Sequence, residues 1–208
     1  MEWIVFDYGC VISQPPSPRV EAAFARLAGV NPDRFWEAYW KHRKPYDRGA
    51  VAAAGFWGSV LAELGHAGTE ADLNTLTGLD LDAWMDLNRD TLAIVTELAE
   101  AGLPLVLLSN APVELARRIE SEAWADAFRH RFFSADLGLA KPDPEVFRTV
   151  CRKLGAEPGD LLFIDDKDEN IAAATAVGIR SLRFRDAGQL RTDLKQWVRI
   201  SAVAEPGS

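Results

Sequence analysis

Histidine and cysteine are scarce: the 208 residues hold three histidines and two cysteines. Cys10 and Cys151 form no metal-spaced cluster, and His42, His66 and His130 are scattered. Neither a zinc site nor a cysteine–histidine nucleophile finds support. So few thiols fit a reducing, cytoplasmic setting. Basic residues are also outnumbered, 23 against 31 acidic ones, for a net charge of −8. That balance argues against a general affinity for nucleic acid or anionic membranes. No apolar run approaches the ~20 residues that a membrane span needs. A strand that starts by Trp3 leaves no room for a secretory leader, so a cytoplasmic protein is expected. Internal repeats are absent, and nothing in the composition separates a monomer from a homodimer.

What remains is ordinary globular material, 48% hydrophobic and 26% charged. After the apolar run Trp3-Ile4-Val5-Phe6, about 70 residues read as helices, far longer than a usual connection. Val20, Ala23, Phe24 and Leu27 share one helical face. Asn31-Pro32 opens a helix whose Phe35, Trp36, Tyr39 and Trp40 stack in two aromatic pairs. Val51 to Leu64 is closed by Gly65, and Thr69 with Asp72 resembles a capping box. An insertion of this kind directly after a strand would cover the strand ends as a lid. The aromatic stripe reads mainly as lid core, the alternative being that part of it lines a substrate pocket, with Lys41, His42, Arg43 and Tyr46-Asp47-Arg48 nearby.

From Asn88 the chain alternates helix and strand. Strands are expected at Leu103 to Leu108, Phe132-Phe133, Leu161 to Ile164 and Ile179 to Phe184. Helices are expected from Arg89, Pro112, Glu145 and Glu169. The last strand is the last element read, and Ala204 to Ser208 should fray. Alternation of this kind predicts an α/β fold, a doubly wound, Rossmann-like parallel sheet with an α-helical cap inserted after the first strand. The expected division is a core of residues 1–13 and 82–208 and a cap of residues 14–81.

The chemistry-bearing residues follow the strands. Asp7 follows Phe6, Ser109-Asn110 follows Leu108, and Asp165-Asp166 follows Ile164, while Lys141 sits in Leu139-Ala140-Lys141-Pro142. Open α/β sheets bind ligands at the carboxyl ends of their strands. An acid, a hydroxyl with an amide, a lysine and an acidic pair suit Mg²⁺ and a phosphate. Each has a plainer reading alone: Asn110 as a helix cap, Lys141 as a loop residue, Asp165-Asp166 as an acidic helix start. Their joint order favours function.

In that order they resemble the haloacid dehalogenase superfamily of phosphohydrolases, and the resemblance covers nearly the whole chain, helical insertion included. It implies a phosphatase that passes through an aspartyl-phosphate on Asp7, acting on a small phosphorylated metabolite such as a sugar phosphate. It further implies phosphate binding by Ser109, Asn110 and Lys141. Mg²⁺ would be held by Asp7, Asp166 and the Gly9 carbonyl, with Asp165 and Asn170 orienting the set.

One position departs from the pattern. Most phosphatases of the superfamily carry a second aspartate two residues after the nucleophile, as general acid and base, and here it is Gly9. Asp7-Tyr8-Gly9-Cys10-Val11-Ile12 is closer to a branch that includes sugar-phosphate phosphatases similar to α-D-glucose-1-phosphatase, which also carry glycine there. A missing general acid costs about 10²–10⁴-fold unless something replaces it. A cap side chain, a metal-bound water or a good leaving group are the candidates. The competing expectations are a non-catalytic phosphate-binding or interaction module that kept the fold, and a phosphomutase.

Overall fold

Five strands, β1 (Trp3–Phe6), β2 (Leu105–Ser109), β3 (His130–Phe133), β4 (Leu161–Asp165) and β5 (Arg180–Arg183), form one parallel sheet in the order β3-β2-β1-β4-β5. The computed structural model describes residues 2–203, with side chains through residue 195, so the fraying expected at 204–208 lies outside the described residues. Within it, no helix is long and apolar enough to cross a membrane.

The short apolar runs become strands because both faces of the sheet are covered. Ile4, Phe6, Leu105, Leu107, Leu162 and Ile164 point into one buried cluster. The alternate residues Trp3, Val5, Val106, Leu108, Leu161 and Phe163 point into the other. Helices α5 (Arg89–Glu100), α6 (Val113–Glu120) and α10 (Ala187–Val203) contribute to the first cluster, and α8 (Pro144–Leu154) and α9 (Asp168–Ala176) to the second. A short α7 (Ser134–Leu137) follows β3 directly. The chain winds outward from β1 through β2 to β3, then returns to the other side for β4 and β5. Strand order therefore reverses beside β1, where such sheets open a crevice.

Register decides what meets there. Phe6 pairs with Leu107 on one side and Ile164 on the other. Asp7, the residue after β1, thus emerges between the ends of β2 and β4, level with Asp165 and one residue short of Ser109. Its N–H is still held by the Ile164 carbonyl at 2.9 Å.

Helices α1 (Pro18–Leu27), α2 (Pro32–Asp47), α3 (Ala53–Leu64) and α4 (Glu70–Trp84) fill the long connection after β1. Their ends carry the signals expected: the Asn31 side chain accepts from Arg34 N–H, Gly65 is left-handed, and Thr69 and Asp72 complete a reciprocal capping box. They share their own core, in which Phe24, Phe35, Tyr39, Phe56 and Trp57 are buried together. Phe24 and Phe35 stack at 5.3 Å, and Tyr46 and Phe56 at 4.6 Å. The outgoing and returning connections cross as an isolated antiparallel bridge between Ser13 and Leu87.

Two differences from the sequence reading have local causes. Helix α10 was not expected after the last strand, yet Asp186 accepts from Gln189 N–H at 2.8 Å at its start. Leu190 and Leu194 bury one face of it in the first cluster. Asn110 does not cap α6. Pro112 holds that place without a side-chain cap bond, and Asn110 is used elsewhere.

Candidate active site

Asp7 is 6% exposed, and its two carboxylate oxygens are treated differently. Oδ1 accepts from the Tyr8 N–H and from Lys141 Nζ, each at 2.7 Å. Oδ2 has no partner among the described residues, and Asp7 lines a cavity of about 280 Å³. The turn after the strand is tight: the N–H groups of Ile12 and Ser13 both bond the Tyr8 carbonyl, and Cys10 takes a positive φ of 58°.

Lys141 bridges two acids, with Nζ 2.7 Å from Asp7 Oδ1 and 2.7 Å from Asp165 Oδ2. Its backbone is held separately. Asn110 donates from Nδ2 to the Lys141 carbonyl and accepts from the Lys141 N–H, both at 2.9 Å. The amide at the end of β2 thus fixes the lysine loop.

Asp165 is saturated. Oδ1 accepts from Lys167 N–H at 2.8 Å, Oδ2 from Lys141, and Asn170 Nδ2 lies 2.9 Å from both oxygens. Asp166, its neighbour, is the opposite case: Oδ1 is buried and has no hydrogen-bond partner among the described residues, and the same holds for Asn170 Oδ1. Oxygens of Asp7, Asp165 and Asp166 lie within 4.8 Å of one another.

Such crowding shapes the charges. Burial pushes the Asp7 carboxyl up to about 8, with Lys141 opposing it and Asp165 adding to it. Burial also acts against ionisation of Asp165, but Lys141 and the N–H donors of Lys167 and Asn170 outweigh it and hold that carboxyl below its usual range. For Lys141, burial favours the neutral amine, and Asp7 and Asp165 reverse this to keep the ammonium. Asp166 is raised by burial and by the Asp165 charge. Three carboxyls and one ammonium leave an excess of negative charge, and a buried orphan oxygen faces it. Hard oxygen donors of this kind fit Mg²⁺.

Asp7, Gly9, Ser109, Asn110, Lys141, Asp166 and Asn170 all line the one cavity, while Asp165 lies beneath it, fully buried. Ser109 is the last residue of β2 and is buried. Gly9 is not among the positive-φ residues, and a Cβ there would meet only Trp84 at 3.6 Å, an ordinary contact. Glycine is therefore not demanded by the backbone at this position.

The insertion supplies the opposite wall through Trp40, Arg43, Asp47 and Trp84, with Pro15 and Pro16 from the outgoing connection. Trp40 is 49% exposed and so is wall rather than lid core, whereas Phe35 and Tyr39 are buried as expected. Lys41 and His42 turn away to pair with Glu63. Lys167 joins the two walls, its Nζ 5.8 Å from the Trp40 ring centroid. Sequence reasoning passed over Lys167 and Ser134, the latter joining Asp47 to Ala111 from 23 residues away.

A model of the haloacid dehalogenase-like hydrolases matches residues 4–178, from the first strand to the end of α9. The chain belongs to that family. Among relatives of this haloacid dehalogenase-like hydrolase is the sesquiterpene phosphatase astK of Aspergillus oryzae, 26% identical over 93% of this chain and 95% of the relative. The phosphatase MT3486 of Mycobacterium tuberculosis is 26% identical over 90% of this chain and 89% of its own. A haloacid dehalogenase family enzyme of Bacteroides thetaiotaomicron, solved with magnesium and inorganic phosphate, superposes with a TM-score of 0.73. It is 20% identical and covers 89% of this chain and 94% of its own, a likeness of fold.

Proposed function

We propose that this hydrolase is a Mg²⁺-dependent phosphatase of small phosphorylated metabolites, working through an aspartyl-phosphate on Asp7. The observation that carries the reading is the asymmetry of Asp7, which lines the cavity: one oxygen is pinned by Tyr8 N–H and Lys141, the other has no partner among the described residues. A carboxylate fixed by one oxygen presents the other for attack on phosphorus, splitting one hard hydrolysis into two easier displacements. Lys141 and the Ser109 hydroxyl, both on the cavity, are placed to stabilise the transferring oxygens. Asn110 fixes the lysine backbone, and Asp165 with Asn170 holds the ammonium in position.

The residues that would hold Mg²⁺ are Asp7, Asp166 and the Gly9 carbonyl, and Asp166 Oδ1, buried without a partner, is the observation that fits them to it. Bound there, the ion would cancel the repulsion between carboxylate and phosphate. Two relatives that align over nine-tenths of the chain are named phosphatases, which supports the same reading. The helices inserted after β1 would act as a cap that excludes water over the core, with α4 running to Trp84, three residues past the expected division into a cap of residues 14–81 and a core of residues 1–13 and 82–208.

A panel of sugar, prenyl and aryl phosphates, assayed with Mg²⁺ and with EDTA, tests this. Metal-dependent release of phosphate from at least one substrate is expected, with turnover abolished in Asp7→Asn. Undiminished turnover by that variant overturns the nucleophile assignment. An isomerised product without free phosphate would make the protein a mutase.

A further inference from the structure

Gly9 leaves the position two residues after Asp7 without a carboxyl, yet a carboxyl from the inserted helices lines the same cavity as Asp7. Asp47 ends α2 and lines the same space as Asp7, Gly9 and Lys141. It is built in rather than carried on a loose lid. Its Oδ1 accepts from Arg43 Nε at 2.6 Å. Its backbone carbonyl accepts from the Ser134 hydroxyl, which in turn accepts from Ala111 N–H at 2.9 Å. Ala111 follows Ser109-Asn110, so the Asp47 backbone is tied to the strand end that faces the phosphate. Two residues on, Gly49 sits at φ +68° so close to α7 that a Cβ would stand 3.0 Å from the Ala135 carbonyl.

The charges around Asp47 do not balance. Arg43 is shared by two carboxylates: Nε meets Asp47, and Nη1 meets Asp80 Oδ2 at 2.9 Å. Asp80 also accepts from the Tyr39 hydroxyl at 2.7 Å. The side chains of Arg43, Asp80 and Asp47 are 5%, 3% and 15% exposed. Two buried negative charges on one guanidinium favour uptake of one proton. Asp80 is paired on both oxygens, Oδ1 to Tyr39 and Oδ2 to Arg43, whereas Asp47 Oδ2 has no partner among the described residues. Burial pushes the Asp47 carboxyl above its usual range, with Arg43 opposing, Asp80 adding and Lys167 opposing from the core side.

We propose that Asp47 is the proton donor to the leaving group, supplying from the cap what Gly9 cannot supply from the core. The inference rests on the phosphatase reading above. In the first displacement the Asp7 Oδ2–phosphorus bond forms, the bond from phosphorus to the leaving oxygen breaks, and that oxygen takes the Asp47 proton. In the second, Asp47 as carboxylate takes a proton from the water that attacks phosphorus. The Asp7–phosphorus bond then breaks, releasing phosphate and restoring both carboxyls. Glu21, the other cap carboxyl on the cavity, is half-buried, and no side-chain hydrogen bond among the described residues fixes it.

The test uses two esters of similar size, p-nitrophenyl phosphate, whose leaving group needs little protonation, and benzyl phosphate, whose leaving group needs it. Asp47→Asn keeps the shape and the Arg43 contact. It should lower kcat/KM for benzyl phosphate by about 10²–10³-fold, flatten the alkaline limb of that pH profile, and change kcat/KM for p-nitrophenyl phosphate by less than about fivefold, because kcat/KM reports only the first displacement. The second displacement is common to both esters, so kcat falls on both, and a melting curve reports that the variant folds. Adding Gly9→Asp to Asp47→Asn should restore benzyl phosphate hydrolysis, because position 9 has room for a side chain. Equal losses of kcat/KM on both esters, no loss on either, or a selective loss in Glu21→Gln instead, would overturn the assignment. Wild type inactive on both esters and on the panel above would remove the phosphatase reading itself, and this inference with it.

Discussion

Replacing Lys141 by methionine keeps an apolar stem of similar shape but removes a buried ammonium that serves two carboxylates at 2.7 Å each and lies 5.3 Å from the Phe163 ring centroid. The backbone should stay in place, since Asn110 holds it through main-chain bonds alone. What is lost is charge. Asp7, Asp165 and Asp166 then share one small volume without a cation, and the folded state must take up a further proton to relieve them. Keeping a carboxyl protonated at pH 7.5 against an ordinary value of 3.8 costs about 5 kcal/mol, at about 1.36 kcal/mol per pH unit. That ceiling agrees with the about 3–5 kcal/mol lost when one partner of a buried ion pair is removed. For a chain of this length it corresponds to a fall in Tm of roughly 6–20 °C. The sign of the pH dependence follows. On folding, Lys141→Met takes up one more proton than the wild type does, so its deficit shrinks as pH falls, to about 2 kcal/mol at pH 5.5. Scanning calorimetry of both proteins in EDTA at the two pH values checks this. A loss below 2 °C at pH 7.5, or a deficit independent of pH, would refute the reasoning.

Asn110→Ala should cost about 2–4 kcal/mol in urea unfolding, at unchanged m, because both main-chain groups of Lys141 lose their partner. Gly49→Ala and Gly65→Ala share the cost of a left-handed non-glycine residue, about 1–2 kcal/mol, but only Gly49 also meets a carbonyl at 3.0 Å. The Gly49 variant should therefore melt lower than the Gly65 variant. Mg²⁺ should raise the Tm of the wild type, by about 2.7 kcal/mol in stability at a hundredfold excess over Kd. Asp166→Asn should abolish most of that rise, and a rise equal to wild type would remove Asp166 from the ion's ligands.

The three central strands were legible because they are short apolar runs buried on both faces, each running into a polar residue. Asp7, Ser109 and Asp165 announce themselves in that way, and parallel register brings the three strand ends together. Asn110 was legible as a polar strand-end residue but not in its use, since its partner lies 31 residues away and the nearby proline makes helix capping the simpler reading. Helix α10 carried a signal in Asp186 and in the spacing of Leu190 and Leu194, but Gly188 near its start hid it. Within the cap, the aromatic stripe gave the core correctly for Phe35 and Tyr39. It did not tell Trp40 apart, because which residue of a helix faces a cavity depends on where the other wall stands. Arg43 and Asp47 stood out only as charges near a lid. Their sharing with Asp80, 37 residues from Arg43, is a matter of tertiary packing.

The central claim is that Asp7 accepts a phosphoryl group beside Mg²⁺, and beryllofluoride, which mimics the aspartyl-phosphate, tests it without a substrate. In ¹⁹F NMR of the full chain with Mg²⁺ and beryllofluoride, the account predicts a protein-bound fluorine signal and a raised Tm. Both should be lost with EDTA and in Asp7→Asn. A bound signal that persists in Asp7→Asn, or none in the wild type across a full Mg²⁺ and beryllofluoride titration, would contradict it.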